Sequence, residues 1–332
     1  MSRLRLRLLL AASALGGFAL MVALIGWYGF GAVAAAVLGL GWRGLLALAA
    51  LHLVLMLTCG IAWRAVMQPA RRVGVVMATA ARILRDAGSE LLPFSAAGGA
   101  VMGARALMLA RMPGVGAFAS TVVDMTLEMV AQLAFTALGV VVLLRGGWAP
   151  QFGLPALVGL AVAVAGGAGF VLAQRAGLFR LLEQLTRRIV LRNTAAAAAP
   201  RGEGVHDAIH DAYGRRADVS IGTACHFVAW MATSLEAWVA LHFLGASLPL
   251  AAVLALESFT YAARSAAFFV PSGLGVQEGG YVVLGAIFGL GPETALALSL
   301  AKRARELTIG VPALLLWQAI EARGWRGARL IP

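Results

Sequence analysis

Asp124 and Glu128 stand four residues apart in an otherwise apolar run. A helix would carry both carboxylates on one face, with Thr121 and Gln132 extending it. A second group, Ser299, Lys302, Arg303, Arg305 and Glu306, falls in another apolar run, where Lys302 and Glu306 form an i, i+4 pair of opposite charge. An ionisable side chain in a membrane span costs at least about 2.5–3.5 kcal/mol on insertion scales, so each marks a candidate cavity or ion pair. Asp124, Glu128, Glu278, Lys302, Arg303, Arg305 and Glu306 read first as residues lining one polar cavity. Glu236, Glu257 and Arg264 read first as supporting ion pairs, and Glu257 and Arg264, seven apart, share a helix face.

The densest motif runs from Phe268 to Gly280 and contains Pro271, Ser272, Gly273, Gly275, Gln277 and Glu278. Glycine lets the backbone turn and approach a ligand closely. A helix beginning near Val276 would offer free amides to an anion, with Glu278 as a titratable group in that opening. A nucleotide loop is excluded by spacing and by the lack of a preceding strand. A sparser counterpart, Leu92–Gly99, contains Pro93, Ser95, Gly98 and Gly99, and Arg105 follows it. Cys59 and Cys225 lie in apolar runs with no ligand spacing, so neither a disulfide nor a zinc site is expected. His206 and His210 in the polar linker lack a third ligand and read as solvated helix surface, while His52, His226 and His242 read as core or interfacial. No cofactor is expected, and no nucleophile–base pair or metal cluster points to an enzyme.

These residues need apolar elements to hold them. The chain is 61% hydrophobic and 13% charged over 332 residues, with 40 glycines, which excludes an ordinary soluble domain. Its net charge of +12 does not suggest nucleic acid, because the arginines sit between hydrophobic runs rather than along one stripe. Continuous spans are expected at about 8–30, 44–67, 114–144, 153–173, 218–244 and 293–319. The regions about 72–112 and 250–290 are helical in pattern but broken at the two Pro–Gly motifs, and read as re-entrant hairpins. A broken backbone at membrane depth is tolerable only against protein or a wet cavity. The expected fold is therefore an all-α polytopic membrane protein of six full transmembrane helices plus two re-entrant helical hairpins, forming one integral membrane domain over residues 1–332.

Most of the 27 Lys and Arg residues fall on one side of this layout, including Arg3, Arg5, Arg7, Arg64, Arg71, Arg72, Arg82, Arg85, Arg175 and Arg180. Arg43 and Arg145 fall on the other. This places both termini in the cytoplasm, with Trp27, Trp42, Trp148 and Trp325 as an interfacial belt. The polar stretch about 174–217 reads as a partly helical cytoplasmic linker. Self-similarity at nearly one offset pairs Pro93 with Pro271, Asp124 with Lys302 and Glu128 with Glu306. Repeats at about 44–144 and 218–320 are separated so that the second enters from the opposite side, giving an inverted repeat of the transporter type.

The two breaks, the Asp124–Glu128 helix and the segment Pro271–Glu278 continuing to Lys302–Glu306 resemble the lysylphosphatidylglycerol synthase transmembrane region, a flippase-like membrane domain family. The match from Pro271 onward looks most like its hopanoid-biosynthesis-associated branch. The resemblance covers about residues 8–320. It implies a lipid transporter or flippase-like protein of the bacterial cytoplasmic membrane, with a membrane lipid as substrate and lipid-biosynthesis enzymes as candidate partners. Family members that transfer lysine carry a soluble domain after the membrane part; here the last expected span falls near the end of the sequence, and aminoacyl transfer is not expected. A non-catalytic partner of a lipid-biosynthetic complex is the alternative, and a membrane-embedded headgroup enzyme a more distant one.

Overall fold

The structure, a computed structural model, describes residues 30–92, 95–148, 150–181, 204–268 and 270–328. Nearly all of the expected first span, Arg3, Arg5, Arg7, Pro93 and residues 182–203 of the linker lie outside the described residues. The described residues are almost entirely helical: α1 (Phe30–Val66), α2 (Val75–Leu91), α3 (Ser95–Leu109), α4 (Gly114–Gly146), α5 (Gly153–Arg175), α6 (Val205–Gly214), α7 (Arg216–Phe243), α8 (Leu250–Ala266), α9 (Val276–Ile287) and α10 (Pro292–Ala328). Short 3-10 turns at Pro69–Arg71, Pro150–Phe152 and Pro271–Gly273 link them.

Among the described residues, Leu38–Val66, Gly114–Gly146, Pro150–Arg175 and Arg216–Phe243 are long and apolar enough to cross a membrane. The first begins earlier than the hydropathy pattern suggests because α1 continues through a kink at Gly41, whose φ of 60° suits glycine. α10 has the length for a span at 37 residues, but Lys302, Arg303, Arg305 and Glu306 interrupt its apolar surface. Both expected breaks fall between helices, but Ser95, Gly98 and Gly99 lie inside α3 and not in the first break itself. α2 ends at Leu91 and α3 starts at Ser95; α8 ends at Ala266 and α9 starts at Val276.

Close packing follows from small residues. A Cβ on Gly99 would lie 2.1 Å from Ser89 Oγ and 2.2 Å from the Arg85 carbonyl oxygen, so glycine lets α3 lie directly on α2. A Cβ on Gly60 would reach 2.7 Å from Thr79 Cα, which brings α1 against α2 in the same way. α1 packs along α7, α4 also packs on α7, and α10 packs on α1; α2 lies on α10 and α8 on α4. The apolar core has one cluster around Trp63, Met67 and Leu107 and another around Leu48, Leu256, Leu296 and Tyr281. The linker is not a wholly solvated strip: in α6, Ile209 and Ala212 are buried against α4, and Tyr213 donates to Gln174 Oε1 at 2.8 Å.

Candidate amphipathic cavity

α4 turns Asp124 and Glu128 toward α2, and α2 answers with arginines. Arg85 Nη1 donates to Asp124 at 2.6 Å and its Nη2 to Glu128 at 2.7 Å. Arg82 forks onto Glu128 at 2.8 and 2.5 Å and lies 2.9 Å from Asp86. From α7, His226 Nε2 donates to the other Asp124 oxygen at 2.8 Å. Arg82 and Arg85 were expected on the flank of a span, as part of the positive-inside signal. They are buried instead, because two carboxylates on the facing helix compensate their desolvation. Arg85 also lies 5.0 Å from the Trp63 ring centroid.

α10 makes a second network. Lys302 pairs with Glu257 of α8 rather than with Glu306 one turn along its own helix, so the i, i+4 pair suggested by spacing is not formed. The Tyr281 hydroxyl donates to Glu257 at 2.6 Å, and Lys302 Nζ stands 5.0 Å from the Tyr261 ring and 5.8 Å from that of Tyr281. Arg305 lies 2.9 Å from Glu236 of α7 and donates to His52 of α1 at 2.8 Å. Glu306 approaches Arg305 to 3.7 Å and has no hydrogen bond among the described residues. Its side chain is about 10% exposed.

The second break is built from left-handed residues, with φ of 58° at Ser272, 56° at Gly273 and 76° at Gly275. Glu278 bends back to accept from the Gly275 amide at 2.7 Å, from Arg303 Nε at 2.6 Å and from Ser299 Oγ at 3.1 Å. The anion site expected at the start of α9 is thus filled by the chain's own Glu278. The two hairpins meet here: Arg264 donates to Glu90 of α2 at 2.6 Å and to Gln277 of α9 at 2.7 Å, and Ser272 Oγ donates to the Glu90 carbonyl. Arg105 stands apart from this centre, half-exposed and 2.9 Å from Glu321.

Between these elements lies a cavity of about 450 Å³, within the range of small-molecule sites. Its polar wall carries Arg82, Arg85, Asp86, Glu90, Glu128, Arg264, Arg305 and Glu306. Its apolar wall carries Leu55, Met56, Ile83, Met125, Met129 and Ile309, with Trp230 and Tyr261 edge to face at 4.8 Å between centroids. Ser272 and Gly273 bring the second break to the lining, whereas Asp124, Glu236, Glu257, Glu278, Lys302 and Arg303 do not line it and sit in ion pairs around it. Each arginine of the wall is already matched to a carboxylate.

Several lining residues escaped the sequence reading: Arg82, Arg85, Asp86, Glu90, His52, His226, Trp230 and Tyr261. One usable signal was present. Arg82, Arg85 and Asp86 share a face with Glu90 across about two turns of an alanine-rich helix, a pattern of inward charge.

The family model described as the lysylphosphatidylglycerol synthase TM region matches residues 9–313. The chain belongs to this family. Curated proteins and solved structures give no match. Every cavity residue falls inside the matched part of this transmembrane region. Together with the apolar helices, membership makes the chain a multi-pass membrane protein with a lipid-related role.

Proposed function

We propose that this transmembrane region moves or handles a polar lipid, its head entering the charged half of the cavity while its apolar body lies against the methionine- and aromatic-lined half. The two-sided lining is the observation that carries this reading. An anionic head would have to displace an internal carboxylate from Arg82, Arg85, Arg264 or Arg305, since each is already paired. A hydroxyl-rich or zwitterionic head avoids that cost. This favours a hopanoid-type polar head over a simple acid, in keeping with the resemblance to the hopanoid-associated branch.

The architecture that serves this function is six spans and two re-entrant hairpins, arranged as an inverted repeat in the bacterial inner membrane with both termini cytoplasmic. Helix lengths support the hairpins. The 12 residues of α9 reach about 18 Å, short of a hydrocarbon core of about 30 Å. Reciprocal packing supports the repeat: α1 touches α10 as α7 touches α4, and α2 touches α10 as α8 touches α4. The charges exchange across it, base on α2 with acid on α4, then acid on α8 with base on α10.

A second reading, a non-catalytic partner in a lipid-biosynthetic assembly, draws on α5, where Gly153, Gly167 and Gln174 are the only buried residues and most of the large apolar side chains stay uncovered. Proteoliposomes carrying labelled phosphatidylglycerol, phosphatidylethanolamine or a hopanoid polyol separate the two. Transport predicts leaflet exchange well above protein-free vesicles, reduced about tenfold or more in Glu128→Gln, the order expected from losing one charged partner at about 1.4 kcal/mol per decade. Exchange equal to empty vesicles for all three lipids would leave the partner reading.

A further inference from the structure

Resting on the transport reading above, we infer that Arg72, Asp218 and Arg215, braced by α6, form a gate that shuts the cavity toward the end of the bundle where α1 finishes, the cytoplasmic end in the proposed layout. The cavity stops short of that end. On α1 its lining runs only from His52 to Cys59, and on α7 from His226 to Thr233. One turn before His226, Gly222 closes the path: a Cβ there would lie 2.9 Å from Leu127 Cδ1 and 3.5 Å from both the Ala62 carbonyl oxygen and Val66 Cγ1. Ala62, Val66, Leu127 and Gly222 are all buried, so α1, α4 and α7 meet there in an apolar contact too close to pass a polar head.

Behind this contact lies a polar knot. Asp218, at the start of α7, accepts from Arg72 Nη2 at 2.6 Å and from Arg215 Nε at 3.0 Å. The same two arginines take the last carbonyls of α1: Arg72 donates to Ala65 at 2.7 Å and to Met67 at 3.2 Å, and Arg215 donates to Val66 at 2.8 Å. One carboxylate thus holds the end of α1 to the start of α7, across the boundary between the proposed halves. α6 braces the knot from the side. Arg215 also pairs with Asp211 of α6, and hydrogen bonds run from Tyr213 to Gln174 at 2.8 Å and from Gln174 to Thr126 at 2.9 Å, on the turn of α4 between Asp124 and Glu128. The knot differs from the ion pairs of the cavity in its access to water. Arg72, Asp218 and Arg215 keep 20–23% of their side-chain surface, whereas Arg85 keeps 4% and Asp124 none. Parting a buried pair strands a charge at low dielectric, while a partly hydrated pair passes from partner to water at little cost. The knot is therefore built to open and reclose while the buried pairs stay made.

The test uses the full-length protein carrying Cys225→Ser, so that Cys59, buried on the cavity wall, is the reporter. A charged, membrane-impermeant thiosulfonate is applied to sealed vesicles from one side or the other. Labelling of this parent from the Arg72 side is slow. Asp218→Asn is expected to speed it about threefold to tenfold, the range for losing two partly exposed ion pairs, with no rise from the opposite side. Asp218→Glu stays near the parent rate. An unchanged rate in Asp218→Asn, or an equal rise from both sides, overturns the gate. A second measurement needs no change at Asp218: raising salt from about 0.05 M to about 0.5 M screens the knot and is expected to speed labelling of the parent from the Arg72 side alone, and a rate that ignores salt overturns the gate as well. Lipid exchange in the same vesicles keeps the two readings apart. Exchange no faster than in empty vesicles, with the one-sided labelling intact, overturns the transport reading instead.

Discussion

At the scale of single residues, the Asp124 site is a buried charge held by two bases, and its energetics follow from that. Asp124 accepts from Arg85 at 2.6 Å and from His226 at 2.8 Å with no exposed side-chain surface. Asp124→Asn leaves Arg85 without its closest partner, and a loss of about 3–5 kcal/mol is expected, read as a lower unfolding midpoint in detergent. The double variant Asp124→Asn with Arg85→Met recovers more than half of it, because the stranded charge has gone; a fully additive loss would show that the two residues are uncoupled. The acid pair on α4 was legible in the sequence because apolar neighbours make a carboxylate conspicuous. Its partners were not. Arginine near a span is ordinarily read as a topology marker, and nothing local to Arg82 or Arg85 reveals that Asp124 and Glu128 lie opposite, some forty residues on.

Helices meet in this molecule where side chains are missing. Gly99 admits α3 to the backbone of α2, and Gly60 admits α2 to α1, while nothing lies within 4 Å of a Cβ placed on Gly159 of α5. Gly99→Ala and Gly60→Ala are expected to destabilise by about 1–3 kcal/mol or more through overpacking. Gly159→Ala, on an open face, is expected to be neutral or to stabilise by up to about 1 kcal/mol. Thermal unfolding of the three variants side by side checks the contrast, and equal effects would mean that the close approaches do not govern packing. The breaks themselves were visible as proline and glycine clusters. The return of Glu278 onto its own helix start was not, since a glutamate three residues into a helix reads equally as a free group or as a cap.

For the whole molecule, the decisive contact joins the two hairpins through Glu90, Arg264 and Ser272. Cross-linking Glu90→Cys to Ser272→Cys fixes the hairpins together. Lipid exchange is expected to stop on oxidation and resume on reduction, whereas exchange that continues in the cross-linked protein shows that the hairpins need not separate. The proposed orientation is open to membrane-impermeant labelling in a background without Cys59 and Cys225. Cysteine placed at Arg43 or Arg145 is expected to react from outside, and at Arg72 or Arg180 only after permeabilisation. The proposed orientation rests on the arginine asymmetry of the sequence, and Arg82 and Arg85, counted in it, serve as partners of buried carboxylates instead. The meeting of the hairpins needed coordinates, because Glu90 and Arg264 are 174 positions apart.

Lys302 is the chain's one lysine, and it lies buried between Glu257 and two tyrosine rings. Amine-directed dyes and acylating reagents therefore find almost nothing to modify on the intact protein beyond the terminal amino group. The same reagents become a built-in sensor of structural loss: the first internal acylation marks the moment at which α8 and α10 part company.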